Sequence, residues 1–430
     1  MKISKKQGNV AVLDIGKTHV KVILFDTDKL EELAVFQTSN KIINKNPYPH
    51  FDVDALKVFI TNSLRKLSKN HKVDSIFTST HGACAALMSK GELILPVLDY
   101  EFDGPDQLKD EYNHIRPAFE KTGTPRMDGG LNLGAQIYWL SRYFPEEFSK
   151  VDQILFWPQF WSYWLSGITA SEISYASSHS DLWDIKQKDF IDLEIYGISK
   201  KVSYPPLRSA STILGPLQKK LAIQMELPDD IPIYCGAHDS SLALVSTSLN
   251  RPLPCTILST GTWVTIFALG SDKTDISEQP GLMISCDCFG NLVPNFRFPA
   301  GKIYQNLMQK KNMSSLKQQY SSELDLGLAN FESPDKAQVI NNKSQQIVDL
   351  SNLNVQEIET IISEILAKQT LKGSDSIGAK GTMICSGPFS NNSIYLNVLK
   401  ENWSYSVICE DDHFGLCNGI AGLISNNQNL

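Results

Sequence analysis

Two short stretches, one in each half of the chain, read as one hairpin used twice. They are Val12-Leu-Asp-Ile-Gly-Lys-Thr-His-Val-Lys21 and Ile257-Leu-Ser-Thr-Gly-Thr-Trp-Val-Thr-Ile266. Each is an apolar strand, a small-polar turn centred on Gly16 or Gly261, and a second apolar strand, Val20–Phe25 or Val264–Leu269. A hairpin tip made of glycine and small donors brings backbone N–H groups close to an anion. Its repetition restricts the chain to two halves that open alike and suits gripping a polyphosphate from two sides.

The bulk properties narrow the class. With 430 residues, 42% of them hydrophobic, the chain buries substantial cores in two or three domains. A net charge of −7 without a basic stripe argues against nucleic acid as a partner. The start, Met1-Lys-Ile-Ser-Lys-Lys, runs into polar Gln7-Gly8-Asn9, which is no secretory signal, and no apolar run reaches the length of a membrane span. The expected location is the cytoplasm, with no membrane partner. The eight cysteines are scattered, and Cys286-Asp-Cys288 lacks the second pair a zinc site needs, so free, buried thiols are expected.

Periodicity predicts strands at Asn9–Leu13, Val20–Phe25 and Leu33–Thr38, an amphipathic helix at Asp52–Leu67, and a buried strand at Ser75–Thr80 leading to Thr80-His-Gly-Ala83. Cys84–Met88 and Leu93–Leu95 read as a hairpin. The region from Leu98 to Pro216 is rich in aromatics, which either floor a sugar site or fill a core. Strand Ile231–Cys235 ends in Gly236-Ala-His-Asp239, and Ser240–Ser248 reads as a helix. In the second half, strand Leu282–Cys286, a helix from about Lys302, helix Val355–Leu371, strand Thr382–Cys385, helix Ile394–Leu399 and the closing Gly415–Ile424 follow. The polar stretch Asn312–Asn354 reads as surface helices and loops. This order is mixed α/β.

Asp14-Ile-Gly-Lys-Thr-His-Val-Lys21 carries the strongest local chemistry. A carboxylate at a strand end beside a glycine turn can hold Mg²⁺ through water, with backbone donors and Thr18 facing phosphate oxygens and Lys21 neutralising charge. The same residues also make an ordinary β-turn. Ser259-Thr-Gly-Thr-Trp263 supplies neutral donors for outer phosphates, or a plain hairpin tip. Asp239, between a buried strand and a helix, reads as an N-cap, as a general base for a hydroxyl proton, or as both. Ser386-Gly-Pro-Phe-Ser-Asn-Asn392 is a strand-to-helix turn suited to close approach by a flat adenine ring. His81, Gly82, Asp99, Gln136, His179 and Asp239 are the substrate-pocket candidates, each alternatively a satisfied core polar group.

These elements in this order resemble the FGGY carbohydrate kinases of the actin-like ATPase superfamily. The resemblance covers essentially the whole chain and includes Phe414-Gly-Leu-Cys-Asn-Gly-Ile-Ala-Gly422, which looks like that family's C-terminal glycine-rich helix. It implies two ribonuclease-H-like domains, residues 1–250 for sugar and residues 251–430 for nucleotide, flanking a catalytic cleft that closes. It implies Asp239 as the catalytic base, and Asp14 with Asp239 at the metal. Nucleotide contacts would come from Gly16, Lys17, Thr18, Lys21, Ser259, Thr260, Gly261, Thr262, Ser386, Gly387, Pro388 and Asn391.

Within the family, Thr80-His-Gly-Ala83, Leu95-Pro-Val-Leu-Asp-Tyr-Glu101 and Gly130-Leu-Asn-Leu-Gly-Ala-Gln136 resemble the rhizobial type of rhamnulose kinase, grouped with L-fuculose kinases. The implied reaction is ATP- and Mg²⁺-dependent phosphorylation of a terminal ketose hydroxyl, in a protein expected to form a homodimer. Two departures stand out. Lys17 replaces the Thr or Ser of many relatives, and Ser386-Gly387 replaces the usual Gly-Gly. The alternatives are a kinase of D-xylulose, L-ribulose or glycerol, a nucleotide-driven conformational protein of the actin or chaperone kind, or a catalytically silent sugar-binding regulator.

Overall fold

The first hairpin forms as its alternation requires in the computed structural model, which describes residues 8–249, 251–273, 275–309, 325–348, 350, 353–410 and 415–426. Strands β1 (Asn9–Ile15) and β2 (His19–Asp26) pair antiparallel with Asp14 opposite Lys21, and β3 (Glu31–Ser39) continues the meander beyond β2. On the other flank of β1 lies β4 (Ser75–Thr80), parallel to it and buried along its whole length. A parallel strand with neighbours on both edges and cover on both faces is expected to read this way. Strands β5 (Ile213–Pro216) and β6 (Pro232–Tyr234) extend that edge, and the two-residue β7 (Ala237–His238) also pairs parallel with β4. The order across the sheet is β5-β6-β4-β1-β2-β3.

The crossover from β3 to β4 includes helix α1 (Val53–Ser68). Asp52 starts it by accepting the Ala55 N–H at 3.0 Å, and Arg65 and Lys66 stand in its last turn. A cap of this kind contributes about 1 kcal/mol, and the basic residues oppose the negative end of the helix dipole.

The second hairpin repeats the plan. Strands β8 (Cys255–Thr260) and β9 (Val264–Leu269) pair antiparallel. With β10 (Leu282–Cys286), β11 (Leu292–Phe298), β12 (Thr382–Ser386) and β13 (Val407–Cys409) they form a sheet ordered β10-β11-β9-β8-β12-β13. Ser259 lies between Thr265 and Ser386, as Asp14 lies between Lys21 and Ser79. The two hairpins therefore hold equivalent positions in equivalent sheets, and the carboxylate of the first is a hydroxyl in the second.

The chain divides into two compact units at residue 250. The first unit also takes in residues 285–291 and the C-terminal helix, which the sequence reading had placed with the second half. The cause is a close helix–helix contact. Among helices α2 (Leu133–Tyr143), α3 (Asp239–Ser248), α4 (Val355–Ser376) and α5 (Leu416–Asn426), α5 packs on α3. A Cβ at Gly419 would lie 2.0 Å from the Leu242 carbonyl oxygen, so only glycine permits the approach. Leu242, Val245, Ile420 and Leu423 join Val10, Val12 and Phe77 in one buried cluster there.

Part of the expected helix-and-loop stretch Asn312–Asn354 lies outside the described residues. Its described part instead contains an antiparallel pair, Leu326–Ala329 with Gln338–Asn341. Helix α4 runs further than predicted, to Ser376, and starts with a capping box between Asn354 and Glu357. All eight cysteines are unpaired, and only Cys409 is exposed. Among the described residues, no helix is long and apolar enough to cross a membrane.

Candidate active site

The C-terminal ends of three parallel strands meet in the first unit. Ile15 of β1 and His238 of β7 both pair with Thr80 of β4, from opposite sides. Asp14, one residue before Ile15, and Asp239, one residue after His238, are thereby brought to flank the end of β4. Strand ends on a parallel sheet are where side chains emerge beyond the backbone ladder. The Asp14 carboxyl is lifted to about 6, first by burial and then by the charge of Asp239, while Lys21 across the hairpin pulls it down.

Asp239 is the first residue of α3, and His238 is the N-cap residue, which corrects the reading of Asp239 as the cap. The Asp239 carboxylate accepts the Ser240 N–H at 2.6 Å and the Ser240 hydroxyl at 3.2 Å. His238 Nε2 stands 3.4 Å away, and the Asp239 side chain remains one-third exposed. Its location at a helix start also places it at the positive end of the dipole.

The loop after β4 supplies a buried imidazole. The His81 N–H donates to the Ile15 carbonyl at 3.0 Å, and Nδ1–H donates to the Gly82 carbonyl at 2.8 Å. That tautomer leaves a lone pair on Nε2, which is buried with no partner among the described residues. Burial lowers the ring to about 4, against the pull of the Gly82 carbonyl and Asp239, so His81 is neutral at pH 7. Burial lowers His238 as well. Gly82 lets the two histidines crowd together, since a Cβ there would sit 2.8 Å from His238 Nε2. Ala83 takes a left-handed φ of 60°, a strained choice for a residue with a Cβ.

Sequence reasoning missed Tyr175, whose hydroxyl accepts the Cys84 N–H at 2.9 Å and lies 3.1 Å from the His81 carbonyl. It pins the 81–84 loop from inside the core. No local pattern around Tyr175 announced this, because its partners lie more than ninety residues earlier.

Lys17 turns from the hairpin tip toward the loop that carries Asp99. Its ammonium pairs with Asp99 and, at 3.3 Å, with Glu101. It stands 4.9 Å from the centre of the Tyr100 ring and 5.2 Å from that of Phe51. Both rings in turn pack on His81, at 5.5 and 5.2 Å between centroids. Lys17 therefore groups with the substrate candidates His81 and Asp99. Gly16, Thr18 and Lys21 stay with the hairpin, where Asn40 closes the tip by donating to the Gly16 carbonyl at 2.8 Å.

Gln136 turns inward, and its amide N–H groups go to the carbonyls of Ala83 and Gly130. It braces the substrate loop from behind. His179 adopts φ 58° and Asp181 φ 59°, and the start of α2 grips this turn through Leu133 N–H to the His179 carbonyl and Gly134 N–H to the Ser180 carbonyl. The His179 ring reaches to 6.3 Å from that of His238. Of the many aromatics in the middle of the chain, Trp157, Trp161 and Trp183 are fully buried filler, whereas Tyr100 stands at the site.

In the second unit, Ser259–Thr262 and Ser386–Asn391 come together. Buried Thr260 spends its hydroxyl on the Ser386 carbonyl and on the Phe389 N–H, at 3.1 Å for the latter, so it braces the turn. Ser259 and Thr262 are exposed, as are Pro388 and Asn391 at the two ends of a single 3₁₀ turn. Gly387 has φ 83°, and a Cβ on it would lie 1.8 Å from the Thr260 carbonyl oxygen. Glycine at this position is therefore a steric requirement.

Comparison with known proteins fits this geometry. The family model described as "FGGY family of carbohydrate kinases, N-terminal domain" matches residues 10–246, and that described as "Carbohydrate kinase FGGY, C-terminal domain" matches residues 252–429. A rhamnulokinase of Mannheimia succiniciproducens is 23% identical over 272 residues, covering 59% of this chain and 52% of the relative. An autoinducer-2 kinase of Salmonella typhimurium is 22% identical over 276 residues, 61% of this chain and 52% of the relative. The aligned region spans about half the length of these curated relatives. Among solved structures, a carbohydrate kinase from Novosphingobium aromaticivorans superposes with a TM-score of 0.84 at 24% identity, covering 97% of this chain and 93% of the other. Plasmodium falciparum glycerol kinase with ADP superposes at 0.75 with 15% identity, covering 98% and 90%. These structural likenesses show the shared two-domain fold.

Proposed function

The chain belongs to the FGGY family of carbohydrate kinases, and from that premise we propose that it transfers the γ-phosphoryl group of ATP to a terminal hydroxyl of a ketose, specifically a 6-deoxy-ketohexose such as L-rhamnulose or L-fuculose. The observation that carries this reading is the pair Asp14 and Asp239, brought to opposite sides of the end of β4 by the pairing of Ile15 and His238 with Thr80. One carboxylate is partly exposed, and the other is partly buried, with a carboxyl lifted by burial and by its neighbour.

In the proposed reaction the substrate hydroxyl donates its proton to the Asp239 carboxylate. The oxygen attacks the γ-phosphorus as the bond to the β-phosphate oxygen breaks, and ADP leaves. The Ser240 N–H and hydroxyl orient the receiving carboxylate. Neutral His81 presents an acceptor lone pair among the substrate candidates, and Asp99, paired with Lys17, adds a carboxylate to that set. Catalysis in such a site is mostly positioning, which supplies several kcal/mol of the barrier reduction.

Asp14, together with Asp239, would hold Mg²⁺ directly or through water. Two carboxylates are an adequate protein contribution for an ion that keeps most of its ligands as water and phosphate, and a cation would relieve the repulsion by Asp239 that adds to burial in raising Asp14. When bound, Mg²⁺ supplies charge neutralisation on the phosphates. Gly16, Thr18 and Lys21 are proposed for the transferred phosphate, and Ser259, Thr262, Gly387, Pro388 and Asn391 for the rest of the nucleotide.

ADP release measured with ATP and, in turn, L-rhamnulose, L-fuculose, D-xylulose, L-ribulose and glycerol tests this reading. The expected result is ADP formation that depends on added ketose and is greatest with a 6-deoxy-ketohexose. Sugar-independent ATP hydrolysis would contradict it.

A further inference from the structure

We propose that Lys17, although it sits at the tip of the phosphate-type hairpin, reads the sugar and not the nucleotide, and that with Asp99 it tunes the pocket to uncharged polyhydroxylated substrates. The inference rests on the kinase reading above and adds a specificity-determining pair to it.

Donor accounting is the first support. A lysine ammonium has three N–H donors. Asp99 and Glu101 take two of them, which leaves one for a ligand hydroxyl. The flanking faces of Tyr100 and Phe51 add cation–π attraction that holds the ammonium in place. Side-chain exposure of 17% for Lys17 and 9% for Asp99 makes this a sheltered pair, not a solvated surface contact.

Geometry is the second. The same two rings pack on His81, whose Nε2 lone pair has no partner among the described residues. A donor on Lys17 and acceptors on His81 and Asp99 are thus gathered about the Tyr100 and Phe51 rings, a set that can pair with vicinal hydroxyl groups, each both donor and acceptor. Charge is the third. The Lys17 cation is already matched by Asp99 and Glu101, and Asp239 adds a further carboxylate, so a sugar acid would bring its own negative charge to a lysine whose charge is already paired.

Steady-state kinetics with sugar and ATP varied separately decide this, using wild type, Lys17→Met and Lys17→Arg on the best ketose. Lys17→Met should raise the KM for the ketose about tenfold or more, the effect of one lost charge-assisted hydrogen bond, with the KM for ATP unchanged. Lys17→Arg, which keeps the charge, should recover part of the loss. D-gluconate, as a sugar-acid probe, should be turned over far less well than the ketose by the wild type. A KM for ATP that rises as much as that for the ketose in Lys17→Met, a ketose KM that does not move, or wild-type preference for gluconate would each overturn the proposal while leaving the kinase reading intact. A wild type with no sugar-dependent ADP release would overturn the kinase reading and this inference together.

Discussion

Asp14 and Asp239 stand on opposite sides of the end of β4, because their neighbours Ile15 and His238 pair with opposite edges of one residue, Thr80. Nothing closer in sequence joins them. Their proximity shows in the Asp14 carboxyl, raised to about 6 by burial and by the Asp239 charge.

That shift fixes a sign. Asp14 has a folded-state value above its ordinary 3.8, so its neutral form is the one the fold favours. The stabilisation is complete below about pH 4 and is lost as pH rises through about 6. Asp14→Asn should therefore leave metal-free stability nearly unchanged at pH 4 and raise it by about 1–2 kcal/mol at pH 8. Urea unfolding of both proteins at the two pH values measures the difference. Mg²⁺ affinity of the wild type, followed by calorimetry, should rise between pH 5 and pH 7 as the carboxylate ionises.

Gly387→Ala places a methyl group on the Thr260 carbonyl oxygen in a left-handed backbone. The turn must move, at a cost of about 1–3 kcal/mol. The expected kinetic signature is a raised KM for ATP with the sugar KM within about twofold of wild type, since the strain lies at Ser386–Asn391 of the second unit, whereas His81 and Asp99 belong to the first.

Gly419→Ala forces α5 away from the Leu242 carbonyl. Because α3 begins with Asp239, the strain reaches the proposed base. A loss of about 1–3 kcal/mol in thermal or urea stability is expected, along with a fall in kcat larger than any change in the KM for ATP. Unchanged stability would show that the contact relaxes without cost.

Much of this was legible in the residues. The hairpins announced themselves through alternating apolar strands around Gly16 and Gly261, and Ser75–Thr80 through an unbroken buried run. Asp239 stood out because a strand ends and a helix starts beside it. What escaped were relations that only tertiary pairing creates. The pairing of Lys17 with Asp99 was invisible because the two lie 82 residues apart. Gln136 looked available to substrate but turns inward to two carbonyls. Most middle-chain tryptophans looked equally suited to a sugar floor and to a core, and burial chose the core. In the polar segment before α4, a weak helical period lost to the cross-strand pairing of Leu326–Ala329 with Gln338–Asn341.

The role of Asp239 is tested most directly by Asp239→Asn, assayed for ketose-dependent ADP release and, separately, for ATP binding by calorimetry. The substitution keeps the shape and removes the proton acceptor. A fall in turnover of about 100- to 10,000-fold with ATP affinity preserved is the predicted result. Turnover near that of the wild type would contradict the assignment of Asp239 as the base.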